Sequence, residues 1–154
     1  MEDFGNRREY QESVVQINRI SKKTKGGNQM RFSALVVVGD KKGKVGAGLS
    51  KARDVRSAIL KATSFAKKHM FDIPLRGTTI PYAIHHKFSA AKILLKPAPP
   101  GSGIIAGGPM RMVLDAAGVR DVVGKILGTK NKISNVYATL EALKELAISE
   151  EKRK

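Results

Sequence analysis

The sequence predicts an α+β fold in two units, a β-β-β-α unit packed against a β-β-α-β-α unit. Three observations lead there. Val- and Ile-rich runs with period-two alternation gather at 14–20, 31–39 and 44–50, and again at 79–97 and 120–127. Helical spacing follows each set, over 54–70 in the first half and over 109–117 and beyond 131 in the second. Pro74 and Gly77 separate the two sets. A chain of 154 residues suffices for one ordinary domain or two small ones sharing an interface. The expected division is a flexible arm over 1–12, a first domain over 13–76, a second over 77–148 and a charged tail over 149–154.

In the first half, Val14-Val15-Gln16-Ile17-Asn18-Arg19-Ile20 reads as a strand that runs into an exposed basic loop over 21–29. The next strand places Phe32, Ala34, Val36 and Val38 on one face, and Asp40-Lys41-Lys42-Gly43 turns it into a hairpin. On the returning strand Val45, Ala47 and Leu49 share a face, while Gly46 and Gly48 leave the other bare for a helix or RNA to approach. A helix follows with Asp54 as N-cap, an apolar stripe of Val55, Ile59, Ala62, Ala66 and Met70, and a basic side with Arg56, Lys61, Lys67 and Lys68.

The second half opens on an alternating run, Ile80, Tyr82, Ile84, His86 and Phe88, in which Pro81 argues for an edge strand. A neighbouring strand over 91–97 leads into a stretch rich in Gly and Pro over 97–109. A short helix is expected from Pro109, a favourable first-turn residue, to a stop at Gly118. A strand over 120–127 and a last helix after Asn131 complete the unit, with Val136, Leu140, Leu143 and Ala147 on its apolar face.

Charge restricts the function. The chain has 29 Lys and Arg against 13 Asp and Glu, a net charge of +16, which calls for a polyanionic partner. Nucleic acid is favoured over membrane, because no apolar run approaches the roughly 18 residues that span a bilayer and no basic amphipathic helix carries bulky aromatics opposite its charge. The first eleven residues lack the apolar stretch of a signal peptide, so the protein is expected to remain where it is made. With no Cys, disulfides and thiolate metal sites are excluded. His85 and His86 alternate to opposite faces of a strand and fit no zinc-type spacing, so neither metal nor other cofactor is expected.

The candidate binding residues are basic. Residues 21–29 hold Lys22, Lys23 and Lys25 beside Gly26, Gly27 and Asn28, a composition that suits either phosphate contact or a solvated turn. Lys51 and Arg53 precede a helix whose first amides can face the same anion. Arg19, Arg31, Lys67 and Lys68 are weaker candidates, since a charge run is commonly a solvated face. Phe32 and Phe65 read as core, as do Tyr82 and Phe88, which argues against base stacking as the main mode.

Gly101-x-Gly103-x-x-Ala106 imitates a dinucleotide fingerprint between strand and helix, but Asp121 falls at the start of the next strand instead of its end and Pro97, Pro99 and Pro100 break the tight turn. No cysteine nucleophile and no Ser, His and acid set with a recognisable context is present, so an enzyme acting on a small molecule is not expected.

Two blocks carry a family resemblance. The first comprises Ile17-Asn18-Arg19-Ile20, Lys25-Gly26-Gly27, Phe32-Ser33-Ala34, Val37-Val38-Gly39-Asp40, Gly43-Lys44-Val45-Gly46 and Lys51-Ala52. The second is Gly101-Ser102-Gly103-Ile104-Ile105-Ala106-Gly107-Gly108-Pro109-Met110-Arg111 with Gly118-Val119. Together they resemble the small-subunit ribosomal protein S5 family over about residues 11–146. The sequence departs from the pattern at Asn28, usually basic, at Leu49-Ser50, usually richer in glycine, at Arg56, often proline, and in its short arm and tail.

The resemblance implies a first domain like a double-stranded-RNA-binding fold and a second with a β-α-β-α arrangement. It implies a cytoplasmic protein of the small subunit near the decoding region, which binds ribosomal RNA and the neighbours S4 and S8 and supports assembly and translational accuracy. Residues Arg19, Lys22, Lys23, Lys25, Gly26, Gly27, Asn28, Arg31, Lys51 and Arg53 would then contact RNA. Ser21, Lys22, Lys23, Thr24, Lys25 and Gly26 would form the loop beside the spectinomycin site, and Gly101, Gly103, Ile104, Gly107, Gly108 and Arg111 the S4 contact. Two other readings are a free-standing double-stranded-RNA regulator, which would not need the second domain, and a nucleotide-dependent enzyme using the 101–108 loop.

Overall fold

The computed structural model describes residues 10–153, so Arg7 and Arg8 of the expected arm lie outside the described residues. The first sheet has the order β1-β2-β3-β4, formed by β1 (Gln11–Thr24), β2 (Gly27–Gly39), β3 (Lys44–Ala52) and the two-residue β4 (Phe71–Asp72), with α1 (Val55–Lys68) across it. The second sheet has the order β5-β6-β8-β7, formed by β5 (Ile84–Phe88), β6 (Ala91–Pro97), β7 (Ile104–Ile105) and β8 (Val122–Leu127), and α2 (Gly108–Ala117) and α3 (Lys132–Arg153) complete the unit. Each half is thus a sheet with helices, an α+β architecture. Among the described residues no helix is long and apolar enough to cross a membrane.

The strand-then-loop expectation over 21–29 is corrected. Antiparallel pairing continues through Ser21↔Met30, Lys22↔Gln29 and Lys23↔Asn28 to Thr24↔Gly27, leaving Lys25 and Gly26 as a two-residue turn. The ladder satisfies backbone groups whatever the side chains, so pairing runs past the point where the apolar pattern stops.

β2 is buried on both faces, which explains its unbroken apolar run from Ala34 to Val38. Val36 and Val38 meet Ala62 and Ala66 of α1. Leu35 and Val37, with Val45 and Ala47 of β3, join a core that also contains Met110, Val113 and Leu114 of α2 and Leu143 and Leu146 of α3. The two halves therefore share one core. At their seam the Lys41 amide donates to the Ala116 carbonyl at 3.0 Å and the Gly43 amide to the Ala117 carbonyl at 2.9 Å.

The bare glycine face of β3 receives the helix: a Cβ on Gly46 would lie 2.5 Å from the Ala66 carbonyl oxygen, and one on Gly48 would collide with that of Ala62. Phe65, expected in the core, is instead 46 % exposed, its ring stacked on His69 at 4.0 Å between centroids. It lies on the flank of the buried stripe of Ala58, Ala62, Thr63 and Ala66. Phe32, Tyr82 and Phe88 are half-buried.

β5 lies at a sheet edge, but it begins at Ile84, later than the alternating pattern predicts. Before it, Arg76 and Thr79 form an isolated bridge and Ile80 is fully buried, beside a Pro81 that lacks the N–H a ladder needs. Residues 149–153 of the expected charged tail continue α3. Glu, Lys and Arg are good helix formers, and late cations suit the negative end of the helix dipole.

His86 ties β5 to α3. Its Nε2 lies 2.9 Å from Glu141 Oε2 and its Nδ1 2.9 Å from Glu145 Oε2, so both nitrogens donate only when the ring is doubly protonated. Burial pulls the imidazole pKa down, but the hydrogen bonds and charges of the two carboxylates outweigh it and raise the pKa above the ordinary 6.5. A raised folded-state pKa gives stability fully present below the unfolded value and lost as pH rises through the folded value. With solvent screening leaving about 0.5 kcal/mol per pair, Tm should fall by roughly 2–4 °C from pH 6 to pH 8.5. His86→Gln should flatten that slope in a thermal melt, and an unchanged slope would dismiss the tie.

Candidate nucleic-acid interface

The end of β3 and the start of α1 bring separate basic residues together. Arg31, Lys51, Ala52, Arg53, Asp54, Ser57 and Lys61 line one concavity of about 390 Å³. The register explains the grouping: Phe32 pairs with Ala52 and Ser33 with Lys51, so Arg31 lies beside the strand's exit into the helix. Asp54, Ser57 and Lys61 then follow at helical spacing on one side of α1.

Asp54 occupies the N-cap position with extended backbone, but its side chain closes no cap bond to the helix amides. The Ser57 hydroxyl foremost, with the charge of Arg56 contributing, holds the carboxyl below the ordinary aspartate range, so it is ionised at neutral pH. The concavity therefore presents four cations against one carboxylate at the positive end of a helix dipole. Its chemistry is that of a phosphate seat.

The hairpin tip stands four residues beyond Arg31 along β2, roughly 13 Å at about 3.3 Å per residue. Lys25, Gly26 and Gly27 are exposed there, as is Ser21 opposite Met30, and a side chain at Gly26 would meet open space. The side chains of Lys22, Lys23, Thr24 and Asn28 lie outside the described residues. Arg19 is exposed one strand over and donates to the Met30 sulfur. Arg31, Lys51 and Arg53 thus form one group, with Arg19 one strand over at the level of Phe32 and the tip further along the ribbon.

Lys61, part of the basic helix side but not of the expected site, belongs to that group; its spacing of seven from Asp54 is the signal that places it there. Lys67 is occupied elsewhere, pairing with Glu12 at 3.0 Å and lying 5.9 Å from the Tyr10 ring centroid.

The 101–111 segment is organised by a residue that sequence reasoning used only as a negative. Asp121 is 5 % exposed, and its Oδ1 accepts from the amides of Gly101 at 3.1 Å and Gly103 at 2.9 Å. The Thr78 hydroxyl first, then these amides, keeps the carboxyl below the ordinary aspartate range. Gly101 and Gly103 have φ of 92° and 75°, which side chains other than glycine rarely adopt, while added Cβ atoms there would meet nothing. Amides that a dinucleotide phosphate would need are thereby committed to the protein's own carboxylate. An acid 18 residues after Gly103, at the head of a strand, was the available clue.

Of the remaining segment residues, Ile104 pairs with Val122 in β7 and β8. It shares a shallow concavity of about 440 Å³ with Arg111, Met112, Asp115, Val119 and Arg120. Gly107 caps α2, and Gly108 is exposed with open space above it. The predicted protein-contact residues thus occupy one continuous stretch without converging on a single cavity.

Comparison with known families yields two matches in chain order. Residues 10–74 match the model described as ribosomal protein S5, N-terminal domain, and residues 86–154 match ribosomal protein S5, C-terminal domain.

Proposed function

The chain belongs to the ribosomal protein S5 family, as a structural protein of the small subunit that binds ribosomal RNA, and on that premise we propose that it works near the decoding region, where it supports accuracy. It is a cytoplasmic scaffold with no chemistry of its own. Lys and Arg displace condensed counterions from RNA phosphates, and the shared core holds its contact surfaces in fixed relation.

The observation that carries this reading is the convergence of Arg31, Lys51, Arg53 and Lys61 at the start of α1. Shape and backbone contacts dominate recognition of double-stranded RNA, and point charges at a helix start suit that mode. Arg19 and the turn residues Lys22, Lys23, Lys25, Gly26, Gly27 and Asn28 extend the same contact, with residues 21–26 as the drug-site loop. The open backbone of Gly101, Gly103 and Gly108, with Gly107, Ile104 and Arg111, takes S4, and the end of α3 approaches S8.

Sedimentation of cell extract through sucrose at low and high salt tests the assignment. The protein should travel with the small subunit and leave it only at high salt. Migration as a small free species at both salts would favour an isolated RNA regulator instead.

A further inference from the structure

The second sheet has an outward face whose charge no ion pair among the described residues balances. Ile84, His86 and Phe88 of β5, Ala91, Ile93 and Leu95 of β6 and Val122 and Gly124 of β8 are the inward series, buried or half-buried and, except for Gly124 and His86, part of or packed on the shared core. The alternate residues point outward, and they include Lys87, Lys92, Lys96 and Lys125, all exposed. In register Lys87 stands directly opposite Lys92, Lys92 pairs with Leu127, and Lys125 pairs with Leu94. Lys125 is therefore the diagonal neighbour of both Lys92 and Lys96. The four cover roughly 13 Å along β6 and roughly 10 Å across three strands.

Like charges directly opposite each other on neighbouring strands are destabilising. No Asp or Glu occurs in β5, β6 or β8, and no ion pair among the described residues involves any of the four lysines. In the first half, by contrast, Lys67 pairs with Glu12, and Arg31, Lys51, Arg53 and Lys61 share a concavity with Asp54. An arrangement that costs stability in the isolated protein and places point charges on a flat lattice, without an exposed aromatic ring beyond His85, suits a run of phosphates.

We propose that this face of the second sheet, through Lys87, Lys92, Lys96 and Lys125, is a second RNA-binding surface that seats the phosphate backbone of small-subunit ribosomal RNA, separate from the surface at the start of α1. The proposal rests on the ribosomal-RNA-binding reading above and assigns the second half of the chain an RNA role besides its protein contacts.

The test compares the full-length parent with a quadruple variant, Lys87→Gln, Lys92→Gln, Lys96→Gln and Lys125→Gln, binding small-subunit ribosomal RNA transcript over a range of salt. The expected result is a shallower slope of log K against log salt by roughly 3, at about 0.7–0.9 per lost phosphate contact, with a Tm no lower than the parent's because the Lys87–Lys92 opposition is relieved. The double variant Lys92→Gln and Lys125→Gln should lose roughly half as much slope, which keeps the test decisive should the quadruple variant fold poorly. Equal affinity and slope in parent and variants would overturn the proposal while leaving ribosomal-RNA binding intact. Absence of salt-dependent binding by the parent would instead overturn the reading beneath it. Unchanged RNA binding combined with lost retention on protein-containing small subunits would assign the face to a protein partner and likewise overturn the proposal.

Discussion

Replacing Gly39 with alanine is expected to destabilise the protein by about 3 kcal/mol or more, the upper range for overpacking a filled interior, and so to lower Tm by roughly 10 °C. Gly39 ends β2 at the seam between the halves, and an added Cβ would fall on the backbone carbonyl of Ala116 near the end of α2. A backbone carbonyl cannot rotate away as a side-chain tip does. The nearby bonds from Lys41 to Ala116 and from Gly43 to Ala117 fix the same stretch, so relief requires the two halves to separate. Gly26→Ala is the matched control, because its Cβ would meet open space at the turn. Thermal melts of the two variants decide the point: similar small losses would mean that the seam yields and that the halves do not depend on one another.

The second large effect is on binding. Arg31→Gln, Lys51→Gln, Arg53→Gln and Lys61→Gln together remove the four cations of the seat at the start of α1. At about 0.7–0.9 in slope per phosphate contact, four contacts are worth on the order of 10²- to 10³-fold in affinity at 0.1 M salt. Arg31, Lys51, Arg53 and Lys61 are half-buried or exposed, and none is in an ion pair among the described residues, so the fold should tolerate the change. Lys67→Gln offers a comparison of equal charge per site: Lys67 already faces Glu12, so its loss should cost far less than a proportional share. Filter binding to small-subunit ribosomal RNA transcript measures both.

Much of the fold was legible because its signals are local. The α1 stripe, the Gly118 stop of α2 and the turn after Gly39 follow from spacing, glycine and short-range turn chemistry. Local pattern could not show where pairing would end. The β1–β2 ladder continues through polar residues to Thr24 and Gly27, and β4 and β7 are two-residue strands held by neighbours far away in sequence. Nor could it show that Leu35 and Val37 face the second half, which depends on how two sheets with helices meet.

The candidate site was legible in part for the same reason. Lys51 and Arg53 are adjacent to a helix start and could be read directly, whereas Arg31 and Lys61 join them through strand register and helix pitch. Asp121 and the His86 clamp needed tertiary structure, since their partners lie 18 and 20 residues away for Asp121 and 55 and 59 away for His86. Phe65 was misread because a helix with so many small residues on its buried side can leave a large ring on its flank.

The central claim is that RNA is held through phosphates by cations clustered on a rigid two-part frame. The most direct measurement is the slope of log K against log salt for the full chain on small-subunit ribosomal RNA transcript, taken beside the variant lacking the four cations at α1. A steep negative slope in the parent, shallower by roughly 3 in the variant, is the predicted result. Tight binding by the parent with little salt dependence, or an identical slope in both proteins, would contradict it.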